Sequence, residues 1–281
     1  MSDLRDLEIG LMFWAGEDPV ETIREAKSLG ARCGQLGISG DISLEGLADS
    51  WAAVLRQEQF PIVTVFCGFT GEDYTDISTV QQTVGFIPPA TRQEREQRTK
   101  DVSDFAAALG VNSIACHIGF VPENKEDPDY QAVLQMVRRI CDYARLRGQS
   151  FVLETGQEPA DVLLLFLTEV DRPNIGINFD PANMIMYGTG DPIQALSVLS
   201  PKVVSVHCKD GEWPVKDVPH ALGTERPLGE GAVGMEAFIA KLKQVGYTGT
   251  LNIEHEIEDR ELRKRNVRAG VELLERLRAQ G

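Results

Sequence analysis

The chain has 281 residues, 42% hydrophobic and 25% charged, with 28 Lys and Arg against 43 Asp and Glu and a formal net charge of −15. That is an ordinary globular composition, which excludes a disordered, collagen-like or low-complexity chain. The excess of negative charge would repel a phosphate backbone, so nucleic acid is excluded as a partner. No run of about 18 apolar residues is present, and Met1 to Asp6 lack the apolar core of a signal peptide, so the expectation is a cytoplasmic protein with no membrane partner. Five cysteines without a C-x-x-C pair point to reduced thiols, with Cys116 and Cys208 expected as core packing.

In chain order, short apolar or alternating runs bounded by Gly, Pro and Asp predict strands at Leu7–Phe13, Cys33–Ile38, Pro61–Phe69, Ser113–Gly119, Ser150–Gly156, Ile175–Pro181, Val203–Asp210 and Gly249–Glu256. Helical periodicity predicts helices at Pro19–Leu29, Leu44–Gln57, Gln93–Leu109, Asp129–Arg147, Glu158–Glu169, Pro192–Leu199, Met235–Val245 and Glu261–Arg278. Strand alternates with helix eight times, which implies parallel strands and right-handed crossovers. No G-x-G-x-x-G follows the first strand, so an open dinucleotide-binding sheet is disfavoured and a closed α/β barrel, a single (β/α)8 TIM barrel over 1–281, is predicted. Enlarged loops follow the third strand, about 68–90, and the seventh, about 211–233. The first contains Phe69, Tyr74 and Phe86, aromatic enough to act as a lid over the barrel mouth or to pack against a second subunit in a homo-oligomer.

Catalytic groups of such a barrel sit at the C-terminal ends of its strands, where alternate residues point inward. The last four strands end with Glu154, Asp180, His207 and Glu254, each preceded by an apolar residue, Leu153, Phe179, Val206 or Ile253, whose opposite parity fits a helix-facing position. The four polar residues are expected at one height. Three carboxylates brought together repel one another unless a cation holds them ionised, and three oxygens with one nitrogen suit Mn²⁺, with Mg²⁺ or Co²⁺ also suitable. The plainer alternative is four strand-end polar residues exposed at the mouth.

Leu153-Glu154-Thr155-Gly156, Asn178-Phe179-Asp180-Pro181-Ala182-Asn183, Val206-His207-Cys208-Lys209-Asp210, Leu228-Gly229-Glu230-Gly231 and Gly246-Tyr247-x-Gly249 leading to Ile253-Glu254 resemble the xylose isomerase-like barrels of the sugar phosphate isomerase/epimerase group. The resemblance implies one divalent metal on Glu154, Asp180, His207 and Glu254, with Glu154 and Glu254 as acid/base groups. It implies a metal-dependent sugar isomerase or epimerase working through a metal-stabilised cis-enediolate on a keto-sugar or sugar derivative. Ketose 3-epimerases of the group carry a histidine three residues after the metal-binding Asp. Here that position is Asn183, which hydrogen-bonds a hydroxyl but accepts no proton usefully, and this argues against plain ketose 3-epimerisation.

Further candidates for substrate binding are His117 at the end of the fourth strand, Lys209 two residues beyond His207, Arg226 and Trp14. Each has a structural alternative: a hydrogen bond for His117, pairing with a strand-end carboxylate for Lys209, core packing for Trp14 and likewise Trp213. Glu158, one turn beyond Glu154, orients it or occupies a helix first turn. His255 and His220 are expected outside the site. Two other functions compete: an inosose or keto-sugar dehydratase using the same metal and base, and a sugar-binding barrel without catalysis.

Overall fold

The computed structural model describes residues 7–16 and 18–280, so the reading of Met1 to Asp6 lies outside the described residues. Seven strands alternate with helices: β1 (Ile9–Trp14), β2 (Cys33–Ile38), β3 (Ile62–Cys67), β4 (Ser113–Cys116), β5 (Ser150–Glu154), β6 (Ile175–Phe179) and β7 (Val203–Cys208). A short pair, β8 (Asp210–Glu212) and β9 (Thr224–Arg226), precedes the last strand, β10 (Leu251–Ile253). The helices are α1 (Pro19–Ser28), α2 (Leu47–Glu58), α3 (Ile77–Thr83), α4 (Arg92–Ala108), α5 (Pro128–Arg145), α6 (Ala160–Val170), α7 (Pro181–Tyr187), α8 (Pro192–Leu199), α9 (Met235–Gln244) and α10 (Arg260–Ala279). All strands but β8 and β9 close into one parallel barrel in the order β1-β10-β7-β6-β5-β4-β3-β2, the predicted fold. Among the described residues no helix is long and apolar enough to cross a membrane.

Four helices start in the same way. Asp18-Pro19, Asp127-Pro128, Asp180-Pro181 and Asp191-Pro192 each place an aspartate at the N-cap, where its carboxylate accepts orphan backbone N–H groups, and a proline in the first turn, where the missing N–H costs nothing. The α7 helix, which the periodicity did not reveal, is one of these. Only seven residues long, it is too short for a periodic signal and is fixed by its cap and by Gly188 in the left-handed region at its end.

The barrel interior divides into two halves. Met12, Phe66, Ala115 and Val152 form an apolar cluster on one side. On the other, Asn178 Oδ1 accepts from Gln35 Nε2 at 3.2 Å and from Ser205 Oγ at 2.5 Å, while Leu153, Phe179, Val206 and Ile253 pack outward in the main core. Ladder register corrects the expectation of a common height. Glu154 pairs with Asn178, Asn178 with Ser205, and His207 with Asn252, so Asp180 and His207 lie level with each other two residues beyond Glu154, and Glu254 two residues beyond them. Barrel strands are tilted and staggered by the shear of closure, and residues offset in register are what converge on the axis.

The insertion after β3 is not a free lid. Phe86 is fully buried, Phe69 is 6% exposed, and the two rings pack 5.5 Å apart as part of the core. Arg95 on α4 pins the segment: its guanidinium donates to Thr83 O at 2.7 Å, Gly85 O at 2.6 Å and Thr70 O at 3.2 Å, and lies over the Phe69 ring. The insertion after β7 forms the antiparallel β8–β9 hairpin, and its His220 carbonyl accepts from Ile77 N at 3.1 Å, so the two insertions touch.

Arg95→Met keeps the aliphatic stem and strips three carbonyls, the buried one of Gly85 among them, of their donor, at a cost of about 2–4 kcal/mol. Expected are a lower melting temperature and faster hydrogen exchange concentrated in residues 70–86. Exchange unchanged in that stretch would show that the aromatic packing holds it unaided.

Candidate metal and acid/base centre

Glu154 closes β5, Asp180 and Glu254 follow β6 and β10 directly, and His207 is the penultimate residue of β7. All four are buried, and one ligand atom from each lies within 4.8 Å of the others. His207 Nδ1 is the focus: Glu154 Oε1 stands 2.9 Å from it, Glu254 Oε2 3.1 Å and Asp180 Oδ2 3.3 Å. A single N–H can point at only one of these oxygens.

Each member is held from behind. The other ring nitrogen of His207, Nε2, donates to Gln35 Oε1 at 2.7 Å, and Gln35 is itself tied to Asn178. That bond fixes the ring orientation and leaves Nδ1 to face the carboxylates, the arrangement found behind metal-ligating histidines. The Phe66 ring stacks on the imidazole at 5.3 Å. Asp180 works twice. Its Oδ1 caps α7 by accepting Asn183 N at 2.9 Å, its backbone N–H donates to Thr155 Oγ1 at 2.8 Å, and Oδ2 is left for the centre.

The electrostatics follow from burial and from the crowding of three carboxylates. Burial pushes the Asp180 carboxyl up, the response of an anion without water. Burial acts the same way on Glu154 and Glu254, but the facing rings His117 and His207 hold Glu154 down at about 2, and His207 with Lys209 hold Glu254 well below the usual range. Burial disfavours charge on His207, yet Glu254 and Glu154 raise it well above its ordinary value. The imidazolium proton thus does the work of a cation that three carboxylates require. Three oxygens and one nitrogen around one point fit a divalent ion of the oxygen-preferring class, whose binding would release that proton.

A cavity of about 440 Å³ opens above this floor. Its lining includes Trp14, His117, Glu154, Asn183, Lys209 and Glu254 among the predicted site residues, whereas Asp180 and His207 lie sealed beneath it. His117 Nε2 stands 2.9 Å from Glu154 Oε2, with its Nδ1 3.0 Å from Gln157 Nε2; burial disfavours its charge, but Glu154 raises it to about 9. Lys209 Nζ donates to Glu254 Oε2 at 2.8 Å. Asn183 Nδ2 is turned to Glu154 Oε1 at 3.4 Å and Thr155 O at 3.3 Å. Trp14 donates from its indole N–H to Glu256 Oε1 at 3.2 Å.

Two candidates go elsewhere. Arg226 lies on β9 with its guanidinium 2.7 Å from the exposed Glu212, and it does not line the cavity, because the hairpin turns it outward. Glu158 neither reaches Glu154 nor lies in α6; its Oε1 accepts the backbone N–H of Val121 at 2.9 Å, tying the loop after β5 to that after β4. Trp213 is 47% exposed, and His255 is bonded to Glu225 and Asn266, both away from the four-residue centre. Residues the sequence reading passed over are Gln35, Glu72, Gln157, Tyr187, Glu225 and Glu256. Gln35 had a usable signal, as a lone amide at an inward position in the otherwise apolar Cys33–Ile38 strand.

Burial pushes the Glu158 carboxyl up to about 7. A carboxyl whose value is higher in the folded than in the unfolded state is bound more tightly to its proton when folded, so stability is full below about pH 4.5 and declines as pH rises through 7. Glu158→Gln keeps the acceptor for Val121 and removes the charge. Expected is equal stability at pH 4 and a gain on the order of 3 kcal/mol for the variant at pH 8, read from denaturant midpoints; a gap independent of pH would refute the burial argument.

A family model described as xylose isomerase-like TIM barrel matches residues 23–277. A xylose isomerase domain protein from Planctomyces limnophilus is 39% identical in a solved structure, with a TM-score of 0.91 covering 98% of both chains. At greater distance, a D-allulose 3-epimerase from Methylomonas sp. has 17% identity and a TM-score of 0.70 over 96% of this chain and 98% of that one. A probable 3-DHS dehydratase from Bacillus anthracis has 18% identity and a TM-score of 0.70 over 95% and 98%. An uncharacterized protein of Methanocaldococcus jannaschii is 24% identical over 186 residues, a match spanning 60% of this chain and 61% of that protein's length. Through the family model and the 39% identical structure together, the chain belongs to the xylose isomerase-like TIM barrel family.

Proposed function

We propose that the protein is a divalent-metal-dependent sugar isomerase or epimerase that moves a proton at a carbon next to a sugar carbonyl, with Mn²⁺ as its metal. The reading is carried by one observation: Glu154 and Glu254 both contribute to the four-residue centre and both open into the cavity. Glu154, Asp180, His207 and Glu254 would hold the ion, which supplies a Lewis acid for a carbonyl and its neighbouring hydroxyl and so acidifies the C–H beside them.

The rest is done by this chain. Glu154 closes β5 and Glu254 directly follows β10, the outer two of four adjacent strands β5-β6-β7-β10, and so they flank the floor formed by Asp180 and His207. A planar deprotonated carbon lying between them presents one face to each, so that one carboxylate removes a proton and the other returns one. Each has its own cationic partner. His117 holds Glu154 through Oε2, and Lys209 holds Glu254 through the same oxygen that faces His207, which leaves Glu254 Oε1 clear of both contacts. These partners provide the proton reservoirs that a reversible transfer needs. Lys209 also keeps a dehydratase as the second reading, because elimination requires an acid for the departing hydroxyl and an ammonium 2.8 Å from the base supplies one. The five cysteines are free and buried, which supports a cytoplasmic location.

Two measurements test this. In Gln35→Leu, His207 loses the acceptor that orients it, and affinity for Mn²⁺ measured by calorimetry should fall about 10–100-fold; wild-type affinity would take His207 out of the ligand set. Glu154→Gln and Glu254→Gln, each with metal content verified, should each lose about 10²–10⁴-fold in turnover and lose solvent deuterium exchange on one face of the substrate. Wild-type exchange in both metal-loaded variants would overturn the two-carboxylate reading.

A further inference from the structure

Beyond the centre itself, the charge of the cavity wall is one-sided. Besides Glu154 and Glu254, the wall carries Glu72, Glu225 and Glu256, and among the described residues its one Lys or Arg is Lys209. Lys209 is already committed, 2.8 Å from Glu254 and 3.8 Å from Glu256. Counted as ionised, the five wall carboxylates with Asp180 beneath them outnumber the charge of a divalent ion on the centre together with His117 and Lys209. A phosphate or carboxylate entering here meets no unpaired cation, and like charges in a recessed, weakly solvated cavity repel more strongly than in water.

The wall carboxylates are not equally occupied. Glu72 accepts the backbone N–H groups of Phe69 and Gly85, one on each oxygen. Glu225 accepts from the Glu256 backbone N–H at 3.0 and 3.2 Å and pairs with His255. Glu256 differs. Its backbone is pinned by Glu225 and its Oε1 by the Trp14 indole N–H, while Oε2 lies beyond hydrogen-bond reach of Lys209 and the side chain is 48% exposed. It is a pre-positioned acceptor bonded to an indole, with Tyr74 lining the same cavity. An indole face next to a fixed carboxylate suits the apolar C–H face and the hydroxyl edge of a sugar.

We propose that the substrate is an electrically neutral polyhydroxy carbonyl compound, bearing neither phosphate nor carboxylate, and that Glu256, held by Trp14, is the residue that accepts its distal hydroxyls and turns anionic sugars away. This rests on the proton-transfer reading of the centre for the carbonyl, and on the wall alone for the absence of charge.

The test uses equilibrium binding of unreactive probes, D-glucitol and myo-inositol with the monophosphate of each, to the Mn²⁺-loaded protein by calorimetry, so that it does not depend on turnover. At least one neutral polyol should bind about tenfold or more tightly than its phosphate. Glu256→Gln, which preserves shape, should weaken the neutral polyol and narrow that gap, and Trp14→Phe, which removes the indole donor, should shift both in the same direction by less. Phosphates that bind as tightly as the polyols, a gap unchanged in Glu256→Gln, or no binding by either polyol would each overturn the proposal. A protein that binds a neutral polyol and rejects its phosphate, yet exchanges no deuterium into any ketosugar, would retain the substrate class and lose the reaction. Deuterium exchange into a sugar phosphate alone would do the reverse.

Discussion

Three carboxylates share one imidazole nitrogen at the C-terminal end of the barrel strands, and much of the neighbouring structure exists to hold them there. Left to themselves, Glu154, Asp180 and Glu254 would move apart or take up protons, and either would dissolve the focus at His207 Nδ1. The barrel prevents the first by placing them at the ends of adjacent hydrogen-bonded strands, in which a residue cannot shift by one position without turning to the other face. The cationic surroundings oppose the second. An arrangement of this kind is a poor source of stability, since buried ions lose solvation that pairing only partly returns, and clusters of this kind concentrate at functional sites.

That demand explains why the barrel interior is polar where most such interiors are filled by branched aliphatics. His207 requires a fixed acceptor behind it, Gln35 requires a partner of its own, and the chain continues through Asn178 to Ser205. Small inward residues make room: a side-chain carbon on Gly10 would come within 2.3 Å of the Asn252 amide oxygen. The apolar cluster of Met12, Phe66, Ala115 and Val152 stiffens the opposite half and brings the Phe66 ring against His207. One half of the barrel positions polar atoms and the other fills space.

The mouth is shaped by the two insertions, and each uses its residues differently from what composition suggests. The aromatic residues Phe69 and Phe86 serve the core and anchor their segment, leaving Tyr74 to face the cavity, where its ring stands 5.7 Å from His117. In the second insertion Asp210 is almost wholly buried, and its carboxylate takes the backbone N–H groups of Gly211, Gly229 and Val233, which folds the Leu228-Gly229-Glu230-Gly231 motif back beneath the β8–β9 hairpin. That motif serves the loop framework, and it turns Arg226 toward Glu212 and away from substrate.

The sequence by itself determined the fold and the four residues of the centre, because both are written in local order: eight βα alternations specify closure, and two-residue parity specifies which strand-end side chains face inward. It did not determine the partners of those residues. Glu154 with His117, Glu254 with Lys209, and His207 with Gln35 join positions 37, 45 and 172 residues apart, and pairing over such distances depends on strand shear, which no local pattern records. Asp180-Pro181 makes the same point within two residues. Its spelling matches three other helix starts in the chain, and only the closed barrel decides that the second oxygen of this aspartate, alone among the four, has a histidine and two glutamates waiting for it.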